Sequence, residues 1–94
     1  MRIKDEVTQD IYDGRSSKKA RTRMPEKHWS LARKKIDYVL AARVVEDLWI
    51  PPSNKLEALR EDLTGRFSIR VNNTYRIVFT WNGQAEDIYI DDYH

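Results

Sequence analysis

The chain has 94 residues, 40% of them hydrophobic and 34% charged, with a formal net charge of +2 at neutral pH. These values suit a globular chain with one modest core and exclude an intrinsically disordered one. Without cysteine there is neither a disulfide framework nor a thiolate metal site, and no apolar run approaches the roughly 18 residues needed to span a membrane.

One domain over residues 1–94 is expected, with no signal-peptide character in Met1-Arg2-Ile3-Lys4-Asp5-Glu6. Residues 2–4 have strand character. Thr8 suits the cap of a brief helix, Gln9 to Asp13, that stops at Gly14. Between Gly14 and Lys35, nine Lys and Arg face only Glu26, a local excess of 9 − 1 = +8. Such a block favours a polyanion or an acidic partner, the plain alternative being a solvated connector. Arg15 to Arg23 shows no apolar stripe and reads as a loop. Pro25 fits a helix start, and Trp29, Ala32, Ile36, Val39 and Leu40 then recur on one helical face. His28 reads as a solvated helix residue. Val44 to Leu48 suits a short helix, and the prolines make Ile50-Pro51-Pro52-Ser53-Asn54 extended.

From Arg66 onward apolar residues alternate at strand spacing. If Asn72-Asn73-Thr74 is a three-residue loop with a left-handed asparagine, Val71 faces Tyr75, Ile69 faces Ile77 and Phe67 faces Phe79. A two-residue loop would put Arg76 among the apolar side chains, so the pattern selects the first register. The other face then holds Arg66, Ser68, Arg70, Arg76, Val78 and Thr80, with Arg70 opposite Arg76. Facing like charges destabilise by a few tenths of a kcal/mol or more, which an anion or a carboxylate between them relieves. Asn82-Gly83 suggests a two-residue hairpin pairing Ile77 with Ile88, Tyr75 with Ile90, and Arg76 with Tyr89. The fold class that follows is α+β, a small antiparallel sheet with N-terminal helices on one face. Its opposite face is expected to be a shallow basic groove, joined by Tyr89 and Asp91.

Ile50-Pro51-Pro52-Ser53-Asn54-Lys55-Leu56-Glu57-Ala58-Leu59, Gly65-Arg66-Phe67-Ser68-Ile69-Arg70-Val71-Asn72, Tyr75-Arg76-Ile77-Val78-Phe79-Thr80-Trp81 and the final Asp92-Tyr93-His94 together resemble the HigB-type toxins of the RelE/ParE superfamily. The resemblance is clear over about residues 36–94. It implies a toxin of a toxin–antitoxin pair, a ribosome-associated messenger-RNA endonuclease held inactive by a HigA-like antitoxin. Operator DNA would be met only through that antitoxin, and neither a cofactor nor a metal is implied. It also implies cleavage roles for Arg76, Asp92, Tyr93 and His94. The pattern departs in one place. Where some of these toxins have a loop histidine, this chain has Glu57, with Arg60 in place of a lysine. Glu57 is either the base that partners His94 or a salt-bridge partner of Arg60 or Lys55.

Metal-free RNA cleavage needs a base for the ribose 2′-hydroxyl, cations for the phosphate, and an acid for the departing 5′-oxygen. Arg70 and Arg76 suit the second task, since guanidinium forks match phosphate oxygens and stay charged. His94 suits proton transfer near neutrality, with Asp92 to fix its imidazole and Tyr93 either to orient the base or to stack on a nucleobase. Lys55, Arg60, Arg66 and Glu57 are candidate substrate-binding residues. His28 and His94 lie 66 positions apart with no paired-histidine spacing, so a metal site is not expected. Two competing readings use the same fold: a ParE-like poison of DNA gyrase, and a catalytically silent module of an operator-bound complex.

Overall fold

The alternation that begins at Arg66 becomes an antiparallel sheet in the computed structural model, which describes residues 2–92. Four strands lie in chain order across it: β1 (Glu57–Ala58), β2 (Arg66–Arg70), β3 (Tyr75–Trp81) and β4 (Ala85–Asp92). Three helices precede them: α1 (Glu6–Asp13), α2 (Lys18–Arg23) and α3 (Trp29–Ala41). The inward stripe of α3, Trp29, Ala32, Ile36 and Val39, is buried with Ile69, Ile77, Phe79, Ile88 and Ile90 of the sheet. Leu40, Phe67 and Tyr75 pack half-buried at its margin. Each large side chain so buried contributes roughly 1.5–3 kcal/mol. This is the expected α+β architecture.

The first hairpin has the expected register, with Phe67 opposite Phe79, Ile69 opposite Ile77 and Arg70 opposite Arg76. Its loop closes differently. Neither Asn72 nor Asn73 is left-handed. Instead the Asn72 Oδ1 accepts from the backbone N–H groups of Thr74 and Tyr75, at 2.8 and 2.9 Å, so the side chain does the work of the turn.

The second hairpin is shifted by two positions from the expected register. Ile77 faces Ile90 instead of Ile88, Tyr75 faces Asp92 instead of Ile90, and Arg76 faces Asp91 instead of Tyr89. One residue enters at the loop, which is Asn82-Gly83-Gln84 with Trp81 opposite Ala85. The other enters at a bulge where Phe79 meets both Asp87 and Ile88, and Asp87 takes a φ of 50°. Because strand side chains alternate, an even shift returns each residue to its expected face. Ile88 and Ile90 therefore still enter the core.

The N-terminal third differs more. Residues 2–4 contribute a single parallel bridge, Ile3 to Ile88, along the outer edge of β4. Asp5, not Thr8, caps α1, accepting from the Thr8 N–H at 2.8 Å. Thr8 is buried, and its hydroxyl accepts from the Ile90 N–H at 3.0 Å, satisfying a donor on the β4 edge. Gly14 ends α1 in the left-handed conformation, as expected. The expected loop over Arg15 to Arg23 contains α2, capped by the Ser17 hydroxyl on the Ala20 N–H. A helix of 6 residues presents one buried side chain, Ala20, too little to make a stripe. The basic block is also partly neutralised across space. Arg15, Lys19 and Arg23 lie against Asp10, Glu6 and Asp5, carboxylates that precede the block in sequence.

Val45–Trp49 forms a 3₁₀ turn, and Pro52–Asn54 forms another where an extended segment was expected. Only Ile50 and Pro51 are extended. The buried Lys35 amine donates to the Asn54 Oδ1 at 2.6 Å, and the Asn54 amide donates to the Leu48 and Ile50 carbonyls at 3.1 and 3.3 Å. This clasp fixes the segment that leads into β1. Burial, with a smaller push from Lys34, holds the Lys35 pKa below the ordinary lysine value. Lys35→Met should lower stability by about 1–3 kcal/mol, because it leaves a buried amide oxygen without its donor. The folded state releases the Lys35 proton before the unfolded state does. Wild-type stability therefore gains from this group as pH rises toward the ordinary lysine range, and Lys35→Met removes the gain. Urea midpoints of both proteins at neutral pH and at pH ~9.5 check the magnitude and the sign.

Candidate functional site

The face turned away from the helices is organised in cross-strand rows. Arg70, Arg76 and Asp91 form one row, Glu57, Ser68, Val78 and Tyr89 the next, and Arg66 and Thr80 a third. Alternation on β2 thus puts Arg66 and Arg70 on the same side as Arg76. The face is not the open groove expected from the sequence, because Ser68 and Val78 at its centre are buried. Their neighbours on that face, Arg66, Arg70, Arg76 and Tyr89, are themselves only part-exposed. Long side chains lying along a sheet shield small residues between them.

A carboxylate relieves the facing arginines. Arg76 donates from Nε and Nη2 to the Asp91 Oδ2, at 3.0 and 2.9 Å. The Arg66 guanidinium lies 5.9 Å from the Tyr89 ring centre, and the Lys4 amine lies 5.0 Å from the same centre. Arg66 Nη1 is buried and has no hydrogen-bond partner among the described residues, a donor suited to an anion. Lys4 was not anticipated as part of this face. The bridge at Ile3 carries it beside β4, and the strand character of residues 2–4 was the available signal.

Glu57 stands opposite Ser68, so β1 brings it onto the arginine face. It is exposed, and no ion pair joins it to Lys55 or Arg60 among the described residues. With Arg60 it lines an open cleft of about 510 Å³. Lys55 is exposed in the left-handed position that ends the turn before β1. Asp92 falls on the other side: it pairs with Tyr75, whose side of the sheet is the helical one. At the β4 edge, however, it lines a cleft of about 380 Å³ together with Lys4, Asp5, Arg23, Tyr89 and Asp91, so the edge brings it beside residues of the arginine face. Tyr93 and His94, the remaining expected proton-transfer residues, lie outside the described residues. His28 is not fully solvated, since its ring is half-buried with its centre 6.0 Å from that of Tyr75. Among the described residues no group of three or more His, Cys, Asp or Glu is placed to hold a metal ion.

The structure therefore assembles Arg66, Arg70, Arg76 and Glu57 on one face, beside Tyr89, Asp91 and Lys4. Convergent guanidinium groups next to an exposed carboxylate can bind a phosphodiester and offer it a base.

Comparison with known proteins is consistent along the chain. A family model, that of the HigB-like toxin, described as the RelE-like toxin of the type II toxin–antitoxin system HigB, matches residues 2–94. Toxin HigB-1 of Vibrio cholerae serotype O1 is 44% identical over 59 residues, which is 62% of this chain and 62% of that protein. An uncharacterized protein of Haemophilus influenzae is 31% identical over 71 residues, covering 74% of this chain and 70% of the relative. The alignment thus spans just under two thirds of the Vibrio toxin.

Proposed function

We propose, from the premise that this chain belongs to the HigB-like family of RelE-like toxins of type II toxin–antitoxin systems, that it is a ribosome-dependent messenger-RNA endonuclease of the cytoplasm, neutralised by a HigA-like antitoxin. The observation that carries the activity is the apposition of Arg70 and Arg76 across neighbouring strands, with Arg66 on the same face. Asp91 offsets the repulsion between them through Arg76, and guanidinium forks gathered on one face match the oxygens of a phosphate.

In the reaction, a base removes the 2′-hydroxyl proton and the 2′-oxygen attacks the adjacent phosphorus. The bond from phosphorus to the 5′-oxygen breaks, and an acid protonates the departing oxygen. The products are a 2′,3′-cyclic phosphate and a 5′-hydroxyl. Arg70 and Arg76 stabilise the charge that builds on the phosphoryl oxygens, and Asp91 orients the Arg76 fork. Arg66, Arg60, Lys55 and Lys4 hold the flanking backbone. Glu57 is the base and His94 the acid, with Tyr93 and Asp92 positioning the terminal residue. The chain's own part in the reaction is proton transfer and charge contact by side chains, while the bond exchange takes place within the RNA. Base and acid each contribute roughly 10²–10⁴ in rate.

The test is 5′-end mapping of cellular transcripts after a short pulse of the chain without its antitoxin. New ends inside translated codons, absent when translation initiation is blocked, are the expected result. Intact transcripts under arrested growth would refute the proposal, and a DNA-damage response with intact transcripts would favour gyrase poisoning.

A further inference from the structure

Away from the arginine face the described surface carries one apolar feature that the proposed chemistry does not use. The exposed large hydrophobic residues are Leu31, Val44, Trp49 and Ile50, at 40%, 51%, 60% and 77% exposure. Three of them belong to the segment from Val44 to Ile50 around the 3₁₀ turn Val45–Trp49. Ile50 lines a shallow cleft of about 150 Å³ with Tyr38, Ala42 and Leu48. Helical spacing extends this surface, since a step of 7 residues puts the exposed Leu31 and the half-buried Tyr38 along one line of α3, and Ala42, buried just past its end, floors the cleft. That line differs from the core-facing one of Trp29, Ala32, Ile36 and Val39. Single exposed apolar residues are ordinary, but Val44, Trp49 and Ile50 grouped in one segment beside a cleft mark a protein contact.

Charge narrows the choice of occupant. Lys27 and Lys34 precede and interleave the α3 line, both are exposed, and the Lys34 amine lies 5.9 Å from the Tyr38 ring centre. Among acids on the same border, Asp47 lines the cleft and is exposed, with its carboxylate accepting from the backbone N–H groups of Arg43 and Val44, and Glu46 is exposed beside it. An apolar surface with a cationic flank fits an amphipathic segment that carries carboxylates beside its apolar anchors. The sheet's arginines lie on the face opposite the one that α3 covers, so nucleic acid has its own surface.

We propose that the antitoxin docks here, laying apolar side chains along Leu31 and Tyr38 into the cleft by Ile50 and setting acidic side chains against Lys27 and Lys34. This rests on the toxin–antitoxin reading of the chain but not on its nuclease activity. An exposed tryptophan beside a cleft is the kind of residue that dominates such interfaces.

The experiment measures affinity of the purified cognate antitoxin for the full chain and for Trp49→Glu/Ile50→Glu and Lys34→Glu variants. Circular dichroism melts monitor folding. The double variant should bind at least about 30-fold more weakly, the change corresponding to loss of one dominant anchor. Lys34→Glu should weaken binding several-fold, and less so as salt rises. In cells the double variant should still arrest growth yet escape co-expressed antitoxin. Unchanged affinity in a folded double variant would overturn the proposal. If the double variant fails to fold, unchanged affinity of Lys34→Glu at low salt overturns it instead. Loss of a concentration-dependent dimer with antitoxin affinity intact would assign the surface to a second copy and overturn it too. Weakened binding by variants of a chain that never cuts RNA would support the docking surface and refute only the nuclease.

Discussion

Arg76→Ala should slow cleavage of ribosome-bound messenger by roughly 10²–10³-fold, the loss typical when one fixed donor to a developing anion is removed. The two bonds from Arg76 to Asp91 aim the guanidinium and hold it part-buried. Arg76→Lys should recover little of the rate, because an ammonium keeps the charge but not the planar fork. Stability is expected to change far less than rate. The side chains of Arg76 and Asp91 are 17% and 28% exposed, so solvent screens the pair and its loss costs about 1 kcal/mol or less. Single-turnover cleavage on programmed ribosomes, set beside thermal melts of the same variant, separates the two effects. A folded Arg76→Ala protein that cuts within about threefold of wild type would remove Arg76 from the reaction.

His94→Ala should cost roughly 10²–10⁴ in rate, the range for a positioned acid or base. The pH profile is the sharper readout. An imidazole with a reference pKa of about 6.5 imposes a limb on the rate near neutrality, and that limb should vanish in the variant. Glu57→Gln provides the complement: if Glu57 is the base, the single-turnover rate falls by a comparable factor while the neutral limb stays. Should Glu57→Gln weaken only substrate binding, the carboxylate belongs to substrate binding, and another group takes the 2′-proton. Glu57→Gln is not expected to shift the melting temperature much, since Glu57 is exposed on a two-residue edge strand.

The sheet was legible in the sequence because one decision, the parity of the first hairpin loop, assigns every side chain from Arg66 to Trp81 to a face. Arg76 among Phe67, Ile69 and Val71 was physically untenable, and that sufficed. The second hairpin misled in register and not in sidedness. Asn82-Gly83 is a strong turn signal, but the bulge at Asp87 has no comparable mark, and two single insertions summed to an even shift. The basic block misled for a different reason. Its charge was counted along the chain, whereas Asp5, Glu6 and Asp10 neutralise part of it across space. Helix α2 escaped because six residues are too few for periodicity. The part-exposed state of the arginine face was illegible from alternation alone, which places side chains on a side without saying how they lie over one another. Asp92 shows how far the same rule reaches: its pairing with Tyr75 puts it on the side opposite Asp91, yet both line one cleft at the β4 edge, which alternation does not foretell.

The central claim is that guanidinium groups on one sheet face promote attack by a ribose hydroxyl on its own phosphate. Ribosomes programmed with a messenger carrying a single 2′-deoxynucleotide on the 5′ side of the mapped cut test it directly. The all-ribose messenger should be cut to a 2′,3′-cyclic phosphate and a 5′-hydroxyl, while the substituted one stays whole at that position. Cutting of the deoxy-substituted bond, or a 5′-phosphate on the downstream fragment, would contradict it.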